Sequence, residues 1–392
     1  MNLLEIQSAL RAEQVDGWLF YDHHERDPLA YRVLGFKPPR MVTRRWYYFI
    51  PATGEPRKLV HAIESGMLDA LPGSKSTYSS WSKQAQALEA LLQGCKRVAM
   101  QYSPKNNIPY IGLVDAGTIE LIRSLGADIA SSANLVQFFE ARWTEAQLET
   151  HLEAGRRVDR VCAAAFAFAG EKLNAGMAVD EFSVMQFILE SFAREGLFTD
   201  HGPIVAVNAN ASNPHYEPTA EDHAPIVKGD FLLIDLWAKL ANDADSVYYD
   251  ITWTGSTARV IPGEQVRIFE AVSGARDAAI RRVQTAIEAG QPIHGFEVDD
   301  ATRGHLRALE LDQYFIHRTG HSIGRDVHGA GANMDNLETH DDRRLIPGTC
   351  FSIEPGVYLP EFGVRSEVNM YVGADRAIVT GAIQKELVRI CG

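Results

Sequence analysis

Two stretches of this chain set carboxylates inside strongly apolar runs, where an unpaired acid is costly to bury. In FLLIDLWAKLANDADSVYYDITWTG, Asp235 interrupts Phe231–Leu236 and Asp250 follows Val247–Tyr249. In CFSIEPGVYLPEFGVRSEVNMYV, Glu354 ends an apolar run and Glu367 returns beyond a turn at Pro360–Gly363. Between the two lies HRTGHSIGRDVHG, with His317, His321 and His328 spaced by four residues and then seven. A hairpin turning at Asn242–Asp243 makes Asp235 and Asp250 cross-strand partners, and one centred at Pro360–Glu361 does the same for Glu354 and Glu367. Like charges directly opposite repel, and a cation between them removes the repulsion. Four inward acids and an imidazole are an oxygen-rich, mostly hard set that suits manganese, iron(II), cobalt or zinc better than copper. With so many acids able to bridge, two ions a few ångströms apart are favoured over one. Such a pair holds a bridging hydroxide and clamps a carbonyl or phosphoryl oxygen. Arg365 shares a face with Glu367 and can neutralise or orient an acid. Taken singly, each of these residues also has an ordinary turn, cap or core role, and spacing alone does not say which histidine would be the ligand.

These side chains need elements to aim them. Residues 1–142 alternate helix and strand signals: an amphipathic helix at Leu3–Gln14, strands at Gly17–Tyr21, Arg45–Ile50, Lys58–Ala62 and Arg97–Gln101, and helices at Ser82–Leu92 and Gly117–Leu125. That alternation predicts an α/β domain. At residues 140–145 the texture changes, and Thr144 with Gln147 makes a capping box for a helix running to Ala169. Residues 143–392 are expected to form the second domain, with further helices at Val179–Gly196, Pro262–Ala289 and Val298–Leu309. Two helices followed by a strand pair occur twice, which hints at an internally duplicated α+β domain.

Composition sets the outer bounds. The 392 residues exceed what one core usually organises. A net charge of −13 argues against nucleic-acid partners and anionic membrane surfaces, both of which need basic faces. Glu5, Arg11, Glu13 and Asp16 break any secretory apolar core near the start, and no run reaches membrane-spanning length. Cys95, Cys162, Cys350 and Cys391 are scattered without a CxxC pair, as expected of reduced thiols in a cytoplasmic protein.

Together, RTGHSIG, DVH, EPGVY and GVRSE around these acids resemble the pita-bread metallopeptidases, which include methionine aminopeptidase, aminopeptidase P and prolidase. The likeness spans about residues 145–385 and is nearest to the proline-peptidase branch, while residues 1–140 resemble, more loosely, the creatinase-like N-terminal domain. The resemblance implies a pita-bread α+β catalytic domain behind a smaller α/β domain. It makes Asp235, Asp250, His321, Glu354 and Glu367 the ligands of two divalent ions, manganese first, with cobalt, zinc or iron as alternatives. Asp235 would chelate one ion, Asp250 and Glu367 bridge both, and His321 and Glu354 complete the other. Glu354 would also act as general base and acid, with His215 and His328 contacting the substrate around the scissile bond. His317 and Arg365 would hold the substrate's carboxyl side. A homodimer is implied, the N-terminal domain of one subunit closing its neighbour's site.

The same pattern has departures. Trp237 stands where the family usually has glycine, Trp253 where it has arginine, and Val368 replaces an acid after Glu367. Strand alternation puts Trp237 on the Asp235 face and Trp253 on the other. The leading expectation is an exopeptidase cutting Xaa-Pro bonds through a metal-bridging hydroxide, of aminopeptidase P or dipeptidase type. The alternatives are a metal-dependent lyase or hydrolase of a small non-peptide substrate and a non-catalytic scaffold.

Overall fold

A computed structural model of the protein describes residues 1–37 and 41–391. It divides into two compact units, Met1–Glu140 and Ala141–Gly392. Among the described residues no helix is long and apolar enough to cross a membrane.

In the first unit, β1 (Gly17–Asp22), β2 (Trp46–Pro51) and β3 (Arg57–His61) form an antiparallel meander. Three parallel additions, β4 (Ser74–Tyr78), β5 (Arg97–Met100) and β6 (Asp128–Ser131), give the order β4-β3-β2-β1-β5-β6 among the described residues. The central β1 and β2 are buried along their whole length, which is why both read as continuous apolar runs. β4 and β6 have no counterpart in the expected pattern. Both lie at sheet edges, and the polar β4, SKSTY, is exposed except at Tyr78. Helices α1 (Leu3–Ala12), α2 (Pro28–Leu34), α3 (Trp81–Leu91) and α4 (Ala116–Ser124) open on the side-chain caps Asn2, Asp27, Ser80 and Asp115. The short α5 (Ala133–Val136) follows β6.

The second unit begins with α6 (Glu145–Asn174). The Thr144 capping box forms as expected, with the Gln147 N–H donating to Thr144 Oγ1 at 3.2 Å and the Thr144 N–H to Gln147 Oε1 at 3.0 Å. The helix runs past the expected stop at Ala169. Gly170 does not end it; a Cβ there would collide with the carbonyl oxygen of Ile390, so this glycine admits a crossing backbone. α7 (Glu181–Arg194) follows, and its Asp180 cap accepts from the Ser183 N–H.

β7 (Leu197–Phe198), β8 (Ile204–Val207), β9 (Phe231–Leu240) and β10 (Tyr249–Ser256) form a sheet around the central β9. Val158, Val161, Ile188, Ile234 and Ile251 belong to one apolar cluster that joins α6 and α7 to β9 and β10. The pattern then repeats. α8 (Gly263–Glu288) and α9 (Gly295–Ala308) precede β11 (Ser322–Ile323), β12 (Cys350–Ile353), β13 (Gly356–Tyr358), β14 (Gly363–Arg365), β15 (Val368–Val372) and β16 (Ala377–Val379). Here Ala279, Val283, Val298, Phe351 and Met370 form the joining cluster. The closing β17 (Val388–Arg389) pairs with β10.

The two halves meet where β10 runs beside β15. The Asp250 N–H donates to Asn369 Oδ1 at 3.1 Å, Asn369 Nδ2 donates to the Asp250 carbonyl at 2.7 Å, and the Glu367 N–H donates to the Thr252 carbonyl at 3.2 Å.

Candidate metal centre

The seam between the halves carries the acids. On the first hairpin the register differs from expectation by two residues: Asp235 faces Thr252, and Asp250 faces Trp237. A two-residue slip keeps every side chain on its face, so Asp235, Trp237, Asp250 and Thr252 still point the same way. Trp253 points oppositely and packs against the α6–α7 cluster. On the second hairpin Ile353 faces Val368 and Gly356 faces Arg365. The two ladders share one register and frame Glu354 and Glu367 opposite each other, as expected.

Asp250, His321 and Glu367 each offer a buried ligand atom, all within 4.8 Å of one another. His321 Nε2 lies 3.6 Å from Asp250 Oδ2 and 3.4 Å from Glu354 Oε1. Asp235 joins the group through Arg365, whose Nη2 donates to Asp235 Oδ2. His321 is pinned from behind. Its N–H donates to Ser352 Oγ at 2.9 Å, and Nδ1 meets the Ser322 carbonyl at 3.2 Å. A carbonyl only accepts, so Nδ1 carries the proton and Nε2 presents a lone pair to the carboxylates. Gly320 makes this approach possible, since a Cβ on it would collide with the Ser352 carbonyl oxygen.

Facing lone pairs and carboxylates repel in the absence of a cation. Asp235 Oδ1, Asp250 Oδ1 and Glu367 Oε1 are buried without a hydrogen-bond partner among the described residues, an expensive state for charged oxygens. Burial first, then the field of Asp235, pushes the Asp250 carboxyl well above the usual range, and burial with Asp250 does the same to Glu367. Glu354 is pushed up to about 7, chiefly by burial, with Arg365 opposing and Asp235 reinforcing. Burial drives His321 well below its ordinary value, so the ring is neutral and fit to coordinate. The chemistry of this donor set fits a divalent cation, for which the orphaned oxygens and Nε2 would supply ligand atoms.

Around the acids runs a hydrogen-bonded brace in which Arg365 and His317 are joined by Thr252, Ser352 and Tyr358, three residues not singled out from the sequence. Thr252 Oγ1 donates to Glu367 Oε2 at 2.9 Å and accepts from Arg365 Nε at 3.0 Å. Ser352 Oγ donates to Glu354 Oε1 at 3.1 Å. Arg365 Nη1 donates to the Tyr358 hydroxyl at 3.1 Å, which in turn lies 2.7 Å from His317 Nε2. His317 Nδ1 donates to the Arg318 carbonyl at 2.7 Å. Burial and Arg365 lower His317 to about 3, so its neutral Nε2 accepts from Tyr358. Thr252 was legible as the residue two beyond Asp250 on the same strand face. Tyr358 and Ser352 carried no comparable signal.

The three remaining expected residues differ in placement. Arg365 is buried, with all three guanidinium nitrogens engaged inside the brace; the structure places it behind Asp235. His328 packs edge-on against the His321 ring, centroids 4.2 Å apart, with its outer side exposed. His215 is exposed, its N–H donating to Asn213 Oδ1 at 3.1 Å.

Known proteins place this geometry in context. The family model for metallopeptidase family M24 matches residues 149–374. An Xaa-Pro dipeptidase from Lactobacillus helveticus is 35% identical over 170 residues, 42% of this chain and 40% of that protein. The chain spans about half the length, or less, of the curated relatives it matches. Among solved structures, dipeptidase PepE from Mycobacterium ulcerans superposes with a TM-score of 0.73 at 22% identity, covering 100% of this chain and 97% of that one. An X-prolyl aminopeptidase from Caenorhabditis elegans, described as a cytosolic enzyme with a di-nuclear active site, has a TM-score of 0.69 at 19% identity, covering 97% of this chain and 61% of that one.

Proposed function

We propose, since the chain belongs to metallopeptidase family M24, that it is a dinuclear metal-dependent exopeptidase acting on Xaa-Pro bonds. The observation that carries this reading is the convergence of the buried carboxylates of Asp250 and Glu367, each with an orphaned oxygen, with the bare Nε2 of His321. Asp235, Asp250, His321, Glu354 and Glu367 would hold the metal pair. When bound, it supplies a polarised substrate carbonyl and a water acidic enough to attack at neutral pH.

The chain's own residues do the rest. Glu354, half-buried and held by Ser352, takes the proton of the attacking water and returns it to the departing nitrogen. Arg365 fixes the chelating rotamer of Asp235, and Thr252 fixes Glu367. His328, edge-on to the ligand ring and exposed, would contact the scissile carbonyl. Proline suits such a centre because its imide nitrogen has no N–H and its φ is fixed, so one rigid shape recurs on the leaving side.

Support comes from the names of relatives and neighbours, Xaa-Pro dipeptidase and X-prolyl aminopeptidase among them. The half-buried Trp237 on the ligand face favours a second reading, a small non-peptide substrate on the same metals. The deciding experiment incubates the manganese- or cobalt-loaded protein with Xaa-Pro dipeptides and longer Xaa-Pro peptides. Dipeptide-only turnover assigns a dipeptidase; cleavage of longer peptides assigns an aminopeptidase. Metal binding without either turnover favours the small-molecule reading.

A further inference from the structure

A buried carboxylate away from the metal centre is filled entirely by one loop. Glu181, the first residue of α7, has no exposed surface. Its Oε1 accepts from the Val207 N–H at 2.7 Å and from Asn210 Nδ2 at 3.0 Å. Its Oε2 accepts from the Ala224 N–H and from the Tyr216 hydroxyl, both at 2.6 Å. Burying a carboxylate is costly unless its oxygens are satisfied, and here the residues between β8 and β9 satisfy both.

Val207 and Ala224 are the two feet of that loop, and the Glu181 N–H also donates to the Ala224 carbonyl at 3.1 Å. Tyr216 lies between the feet, next in the chain to His215. Beyond the 3-10 turn at Asn208–Ser212 the loop has little regular structure of its own, so its shape depends on such anchors. It also rests on the hairpin that joins Glu354 to Glu367. Ser212 Oγ donates to the Leu359 carbonyl, and a Cβ on Gly363 would collide with the Ala211 carbonyl oxygen. Tyr216 packs in the apolar cluster that includes Trp237, the cross-strand neighbour of Asp250. The His215 ring is exposed, and its field reaches His328.

We infer that Glu181 is the positioning residue of this loop: by tying Val207, Tyr216 and Ala224 to the start of α7, it holds His215 beside the metal hairpin. Glu181 touches no substrate and acts only through the histidine it places. For what His215 contacts, the inference rests on the exopeptidase reading; the anchoring itself is independent of it.

The test uses Glu181→Gln and Tyr216→Phe in the manganese-loaded full-length protein. Glutamine keeps the shape but accepts on one side only, so whichever way it turns, its amide N–H faces the peptide N–H of Val207 or of Ala224. Glu181→Gln is expected to lower kcat/KM for an Xaa-Pro dipeptide by about 10- to 100-fold, with metal content unchanged. Tyr216→Phe, which removes the one donor beside His215, should act in the same sense by less. In a His215→Ala background both losses should largely disappear, because residues that act through one another are not additive. Losses that add in full, or that accompany loss of metal, would overturn the inference. Hydrogen exchange supplies a readout without turnover: Glu181→Gln should speed exchange at Val207 and Ala224 and leave β12 and β15 as they were. Unchanged exchange there refutes the anchoring whatever the rates. Should Glu181→Gln fail to fold, Tyr216→Phe carries the cycle with His215→Ala, and additivity in that cycle refutes the inference. Should the wild type cleave no Xaa-Pro substrate, the exopeptidase reading falls separately and exchange alone decides the role of Glu181.

Discussion

Glu354→Gln tests the electrostatics of the centre independently of catalysis. In metal-free protein, burial holds the Glu354 proton to about pH 7 against its usual 4.5, with Arg365 opposing and Asp235 reinforcing. The folded state therefore binds that proton more tightly than the unfolded chain. The sign follows: stability is full below pH 4.5, falls as pH rises, and the loss is complete above about pH 7. At 1.36 kcal/mol per pH unit, that interval corresponds to ~3 kcal/mol. Glutamine cannot ionise, so the variant escapes this loss. At pH 8, after dialysis against a chelator, Glu354→Gln should melt above the wild type by about 6–12 °C, taking 2–4 °C per kcal/mol for a unit of this size. Near pH 4.5 the two should coincide. Differential scanning calorimetry across that range is the assay. Added metal should reverse the order at pH 8, since the wild type recovers ligand-binding stabilisation, while the variant shows no turnover. Parallel pH profiles for the two metal-free proteins, or a variant less stable at pH 8, would refute the argument.

Three further outcomes are expected. His321→Ala should abolish both metal retention and turnover, whereas His328→Ala should lower turnover by a smaller factor with metal content unchanged; metal analysis beside a rate assay separates them. Arg365→Gln frees Asp235 from its brace and should weaken metal affinity by about 10- to 100-fold, read by competition with a chelating dye. Light scattering should give the mass of two chains, as the family resemblance implies; a monomer at micromolar concentration would contradict it.

Much of this architecture could be read from residue order, for reasons that also explain what could not. Acids inside apolar strands are conspicuous, and the tight turn at Leu359–Phe362 leaves little freedom, so the Glu354–Glu367 register follows from counting. The first hairpin turns through ANDADS, where several residues suit a turn. Ser246 settles the matter by donating to the Leu240 and Asp243 carbonyls at 2.8 and 2.7 Å, a choice invisible to counting. The error was even, so the ligand face survived it. The continuation of α6 past Ala169 could not be read locally, because the chain that crosses it at Gly170, near Ile390, is remote in sequence. Edge strands such as SKSTY carry no alternation because most of their side chains meet water.

The seam at which β10 meets β15 also sets a timetable. Asp235 and Asp250 leave the ribosome long before Glu354 and Glu367, and either pair alone is an incomplete chelator. Metal capture must then wait until β15 has been made and Asn369 has locked onto Asp250. A nascent chain that stops short of Glu367 should therefore sequester no transition metal at this seam.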